Sequence, residues 1–208
     1  MPSASKTLPE CLPLPRAEQR QARREQLLDT AAALLVERGL TGLTMEAVAA
    51  GAGVSKALPY QHFDNSDAVV VELYHRELGR LTASIASAVS GIRGGDAIVA
   101  AALHAYFDEI ETRGALLGIL AGPGSQIPAL VHGGQPAAAG GLADLLSDAY
   151  GLSTRVARVA AALVTGAAIA GSDAVARGDA RRTEAERLTR QMITSGLRGI
   201  RRAGRPNA

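Results

Sequence analysis

Apolar residues recur at steps of three and four along most of the chain, the spacing of helix faces. Leu27, Ala31, Leu34 and Leu35 mark a first helix that ends near Arg38, where Gly39 supplies a stop. Leu40 and Leu43 fold back towards the same small core. Residues 43–63 then read as two short helices joined by a tight turn. Thr44 is placed to cap the first with its hydroxyl, and Glu46 favours the positive helix end. Val48 and Ala49 face inward, Gly51 and Gly53 permit positive φ, and Val54 plugs the corner. Ser55 is placed to cap the second helix, which carries Lys56, Tyr60, Gln61 and His62 outward, while Phe63 completes the core. Two helices at a steep angle around a glycine turn suggest a helix-turn-helix.

Asp64, Asn65 and Ser66 break the pattern, and one of them caps a long fourth helix. Its stripe is Val71, Tyr74, Leu78, Leu81, Ile85, Ala88 and Ile92, and Gly91, Gly94 and Gly95 end it. Asp96 is placed to cap a fifth helix to about Arg113, with Val99, Leu103, Tyr106, Phe107 and Ile110 apolar. A short sixth segment holds Leu116, Leu117, Ile119 and Leu120. Residues 121–141 are rich in Gly and Pro and read as a mobile loop; they lack the strand and lysine of a phosphate cradle. A seventh helix spans Leu142 to Tyr150, an eighth runs from a Ser153 cap to Arg177, and a ninth from about Thr183 to Arg202. The prediction is an all-α chain of about nine helices: an arm over 1–19, a three-helix head over 20–67, and a larger helical domain over 68–208.

Pro59 disturbs this reading locally. It lacks an N–H and biases Leu58 away from helical angles. Either Ser55 caps a helix with Pro59 in its fourth position, or residues 55–58 form a turn and the helix starts at Pro59. Both give a shortened or re-aimed second helix.

Composition narrows the chemistry. Hydrophobic residues make up 47% of the 208 and aromatics only 3%, so the core must be built from Leu, Val, Ile and Ala in closely packed helices. The net charge is +2, so nucleic-acid contact must come from local clusters. Arg16-Ala-Glu-Gln-Arg-Gln-Ala-Arg-Arg24 is such a cluster: a solvated first turn, or a phosphate or minor-groove contact. The single Cys11 cannot form an internal disulfide and fits a reducing cytoplasm. No secretory signal is visible in Met1 to Pro15. Val156 to Val175 is apolar enough to raise a membrane span, but Arg158, Thr165, Ser172 and Asp173 favour a buried soluble helix. Gly166, Ala167, Ala170 and Gly171 allow close backbone approach, and with Val159, Leu163 and Val164 they suggest an association surface.

Thr44, Val48-Ala49, Ala52-Gly53-Val54-Ser55 and Tyr60-Gln61-His62-Phe63 together resemble the DNA-binding signature of the tetracycline-repressor (TetR) family. The resemblance covers about 45 residues, roughly Arg24 to Val69; beyond it only helix order and length correspond. It implies a cytoplasmic, ligand-responsive regulator, most simply a repressor, that grips a palindromic double-stranded DNA operator as a homodimer and is released by a small molecule. By matched position, Lys56, Ala57 and Tyr60 face bases, Thr44, Tyr60 and His62 meet phosphates, Gln61 does either, and Ser55 belongs to the same interface. Lys56 can donate to a guanine edge or serve as a phosphate contact. The last two helices form the dimer interface, and an effector cavity lies within 68–208. Leu103, Tyr106, Phe107, Ile110, Leu117 and Leu120 are its candidate lining, apolar enough for a hydrophobic guest. The sequence departs from the family at Leu58, where a small or hydroxyl residue is usual, at Pro59, where Leu is usual, and at Ser66, where a phosphate-binding Lys is usual.

No nucleophile elbow, glycine-rich phosphate fingerprint or close His/Cys/Asp cluster points to an enzyme, and no catalytic residue, cofactor or metal is expected. His104 and Asp108, four apart, could share a metal or form a simple satisfied pair. The alternative to a regulator is a helical scaffold or ligand-binding protein with weakened DNA binding.

Overall fold

The computed structural model describes residues 15–121 and 137–203. Cys11, most of the expected arm and most of the Gly/Pro-rich segment lie outside these. Among the described residues there are eight α-helices and no strand: α1 Arg16–Arg38, α2 Met45–Gly51, α3 Ala57–Tyr60, α4 Ser66–Val89, α5 Gly95–Ala121, α6 Ala137–Tyr150, α7 Thr154–Ala176 and α8 Arg182–Ala203, with a 3₁₀ turn at Leu40–Gly42. The chain divides into two compact units, the first ending at Val69 and the second beginning at Val70.

In the first unit α1 packs on α2 and α2 on α3. Its buried side chains are Leu27, Leu28, Ala31, Leu34 and Leu35 of α1, Leu43, Met45, Val48 and Ala49, then Pro59, Phe63 and Val69. Helix α1 begins at Arg16, so the last four residues of the expected arm are helical. Gly39 ends it, donating its N–H to the Leu35 carbonyl at 2.9 Å. Asn65 is the residue that caps α4, accepting the Ala68 N–H at 2.8 Å.

The second unit is a bundle in which α7 packs on α6 and α8, and α5 on all three. Alanines bring the helices close: Ala143, Ala157, Ala160, Ala161, Ala168 and Ala185 are buried beside Leu103, Phe107, Leu146, Ile193 and Leu197. Small side chains thereby offset the shortage of aromatics. The expected fifth and sixth segments are one 27-residue helix. Gly114 and Gly118 do not break it, because a glycine inside a helix costs only about 1 kcal/mol and no proline follows before residue 121. Asp96 does not cap α5. It lies in the first turn, accepts the Tyr150 hydroxyl at 2.9 Å and pairs with Arg198. Ser153 precedes α7 as expected, but its hydroxyl makes no capping bond.

The buried face of α4 is also not the expected one. Val70, Leu73 and Glu77 are sealed, while Val71, Tyr74, Leu78, Leu81, Ile85 and Ala88 are only half-buried. A carboxylate occupies the centre of the true stripe, and polarity alone puts it in solvent. Glu77 is 1% exposed, and its oxygens take Arg76 at 3.1 Å, Arg80 at 2.9 Å and Arg113 of α5 at 2.6 Å.

Helix α7 is buried on one face only. Its apolar stretch is long enough to cross a membrane by composition, with mean hydropathy 1.6, yet only 22% of it is buried. The expectation of a buried helix therefore holds for Ala157, Ala160, Ala161, Ala168 and Ser172, whereas Val159, Leu163 and Ile169 lie open. Gly171 turns inward, where an added Cβ would sit 2.4 Å from the Thr189 hydroxyl. On α8, Leu188, Met192 and Ile200 are exposed, while Ile193 and Leu197 fill the core.

Candidate nucleic-acid interface

The turn between α2 and α3 is built by backbone bonds. Ala52 donates to Val48 at 3.0 Å, Gly53 to Ala50 at 3.2 Å and Val54 to Ala49 at 3.0 Å. Gly53 has φ +65°, the left-handed region that favours glycine. Gly51 stays helical; an added Cβ there would meet Thr30 of α1 at 2.7 Å, so its role is close approach. Thr44 caps α2 as expected, its hydroxyl oxygen accepting the Ala47 N–H at 3.1 Å. The hydroxyl proton stays free to donate to an outside acceptor.

Helix α3 is a single turn of four residues. Leu58 donates to the Ser55 carbonyl at 3.0 Å, but the Ser55 hydroxyl makes no cap, which corrects that expectation. Pro59 lies in the first turn, where a helix leaves N–H groups unpaired anyway, so its missing donor costs little. It is buried, and its carbonyl accepts from His62 at 3.0 Å and Phe63 at 2.9 Å. The helix neither runs on from Lys56 nor begins at Pro59. Ser55, Lys56, Ala57, Tyr60, Gln61 and Thr44 are exposed together around this turn, and His62 is half-buried.

Two side chains of α1, Arg24 and Gln26, fasten the turn. The Arg24 guanidinium donates to the His62 carbonyl at 2.8 Å and stacks on the Phe63 ring, 4.6 Å from its centroid. Gln26 donates to the Ala52 carbonyl at 3.1 Å. Sequence reasoning missed this role, because polar residues on an amphipathic helix read as a solvated face.

The His62 Nδ1 is buried without a hydrogen-bond partner among the described residues, so an outside phosphate can be met only through Nε2. Burial, then the positive charges of Arg20, Arg24 and Arg23, hold its imidazole below the ordinary 6.5. The unfolded chain therefore binds the proton at a higher pH than the folded one. Stability contributed by neutral His62 is present above about pH 6.5 and falls as pH drops through that value. An NMR titration of this ring in the free protein should show a midpoint below 6.5, and His62→Gln should flatten the acid side of the stability curve. A midpoint at or above the ordinary value contradicts the assignment.

Residues 27–73 match the family of bacterial regulatory proteins described as tetR. The match spans 47 of the 208 residues, and over that stretch the chain is similar to the tetR family. It is 35% identical over 98 residues to the HTH-type transcriptional activator FasR of Mycolicibacterium smegmatis, an alignment covering 47% of this chain and 43% of FasR. It is 41% identical over 54 residues, 26% of each chain, to the HTH-type transcriptional repressor KstR2 of Rhodococcus jostii. The chain thus spans less than half the length of the curated relatives it matches. The likeness of fold extends further. The transcriptional regulator FadR from Bacillus subtilis, solved in complex with stearoyl-CoA, superposes with TM-score 0.70 at 15% identity, over 83% of this chain and 98% of FadR.

Of the signature residues, Thr44, Ser55, Tyr60 and Gln61 are exposed at the turn and Val48, Ala49 and Phe63 are buried beneath it, while the apolar candidates fall on α5. Leu103, Phe107 and Leu120 are buried, while Tyr106, Ile110 and Leu117 are half-buried. Leu103 and Phe107 belong to the packed core, and the Tyr106 hydroxyl lies 3.1 Å from that of Ser172. A cavity of about 190 Å³ opens elsewhere, among Gly94, Asp96, Tyr150, Arg198 and Arg201. That is below the roughly 300 Å³ at which ligand pockets begin. His104 and Asp108 are 3.6 Å apart and both are engaged by α8: His104 meets Glu186 at 3.2 Å and Asp108 pairs with Arg182. This is an ion-pair network between two helices, in which the buried Arg182 Nε alone makes no hydrogen bond among the described residues.

Proposed function

We propose that the chain is a ligand-responsive DNA-binding transcriptional regulator, cytoplasmic, acting as a two-fold homodimer on a palindromic operator. The observation that carries this reading is the recognition turn. Lys56, Ala57, Tyr60 and Gln61 stand exposed on one helical turn that buried Pro59 and Phe63 support from behind. Thr44, Ser55 and His62 flank it. Residues 20–67 are the DNA-binding domain in this proposal, and residues 68–208 hold the effector and the dimer interface. The dimer is supported by the open apolar faces of α7 and α8. The effector is a hydrophobic small molecule admitted along α5 near Tyr106, Ile110 and Leu117. It releases DNA by favouring a dimer whose heads do not fit one face of the duplex. Repression is the simplest mode, and no catalytic step is assigned.

The four-residue α3 favours a second reading, a helical ligand-binding protein whose grip on DNA is weakened. A gel shift with the chain's own upstream DNA decides between them. The expected result is preferential retention of a palindrome whose half-sites lie about 34–36 Å apart. Lys56→Ala should cut discrimination between operator variants by about 5- to 160-fold, the worth of one bidentate base contact. Equal weakening on every duplex assigns Lys56 to a phosphate. No preference for any palindrome, even at low salt, leaves the second reading standing.

A further inference from the structure

We infer that the amino-terminal half of α1 is a second DNA-backbone site, in which Arg16, Arg20 and Arg23 form a phosphate-binding strip beside the recognition turn. This rests on the DNA-binding reading above and extends its footprint. The three arginines are spaced by four and three residues, which puts them on one helix face. All three are exposed. Arg16 and Arg20 have no ion pair or hydrogen bond through their side chains among the described residues, and Arg23 donates only to the neutral Gln26, at 2.8 Å.

Their charge does not serve the helix. Arg16 is the first residue of α1, at the positive end of its dipole, where an acid would stabilise and a cation costs up to about 1 kcal/mol. A merely solvated face has no need of that placement. The position relative to the recognition turn is set by the neighbouring residue: Arg24 holds the His62 carbonyl at 2.8 Å. The charges of Arg20 and Arg23 reach the same imidazole. Seven residues of helix span about 10 Å, comparable to the axial advance of about three phosphates on one strand at 3.4 Å each. Arginine suits this ligand because its planar fork binds phosphate in pairs of hydrogen bonds.

The test is the salt dependence of binding by the full chain, wild type against an Arg16→Ala/Arg20→Ala/Arg23→Ala variant, on the operator duplex and on a scrambled duplex. Each lost contact should make the slope of log K against log salt shallower by about 0.9. Both duplexes should weaken by the same factor, and an Arg→Lys triple variant should restore most of the slope. An unchanged slope overturns the inference, and so does a loss confined to the operator. Wild type that binds any duplex without preference, with a slope that falls in the variant, supports the strip while rejecting the operator reading. Wild type that binds no duplex at low salt rejects both. Circular dichroism that matches wild type confirms that exposed side chains alone were changed.

Discussion

On the proposed two-fold assembly, Leu163→Glu combined with Met192→Glu should convert a dimer into a monomer and reduce operator binding by more than about 100-fold. Leu163 on α7 is 65% exposed and Met192 on α8 is 60% exposed, each the most exposed large apolar side chain of its helix. Val159, Leu188 and Ile200 extend the same open surface. Burying one such side chain contributes about 1.5–3 kcal/mol. A two-fold interface uses each residue twice, so the double variant removes four of them and puts four carboxylates in their place. At 1.4 kcal/mol per decade, the dissociation constant should rise by at least about four decades. Light scattering at micromolar concentration should then report the mass of one 21.4 kDa chain instead of two. Operator binding falls because each monomer reaches only one half-site. A double variant that keeps the dimer mass places the interface elsewhere.

Glu77→Ala should destabilise the second unit by about 3 kcal/mol, because it breaks a buried ion-pair cluster and empties the space of its carboxylate. Glu77 is 1% exposed and gathers three guanidinium groups, of which Arg76 is itself only 12% exposed. Arg113 also meets Glu109 at 3.3 Å, so it keeps a partner in the variant, while Arg80 can turn to solvent. The loss therefore falls on the buried side of the cluster and on the space the carboxylate filled. Glu77→Gln, which keeps the shape and removes the charge, should cost less. Urea unfolding measures both, as a lower midpoint with little change in slope. An alanine variant within about 0.5 kcal/mol of wild type means the cluster is no more than a surface ion pair. The cluster joins α4 to α5, so the same variant should loosen α4 in hydrogen exchange.

The first unit was largely legible because its constraints are local. Gly39, Thr44 and Gly53 act on backbone within a few residues, and Leu27 to Leu35 repeat on a face that needs no partner to be recognised. The polar side chains around α3 were legible for the same reason. The fastening of that turn was not. Arg24 lies 38 residues from His62, and an arginine at a helix surface looks the same whether it meets water or a distant carbonyl. In the second unit the helices were legible and their inner faces less so. Alanine and glycine surround α7, so no single apolar stripe stands out, and packing decided that Ala160 lies inside and Leu163 outside. Asp96 looked like a cap because capping is the commonest local use of aspartate; its actual partners, Tyr150 and Arg198, come from other helices.

The amino-acid sequence by itself determined the all-helical class and the tight turn at Gly53, since these follow from backbone conformation and nearby side chains. Only the tertiary structure decided that Glu77 is interior, that α7 and α8 each keep an apolar face open, and that α1 supplies the clamp on His62. Burial of a charge depends on countercharges delivered by other segments, and an exposed hydrophobic face is known only after the rest of the core has been filled.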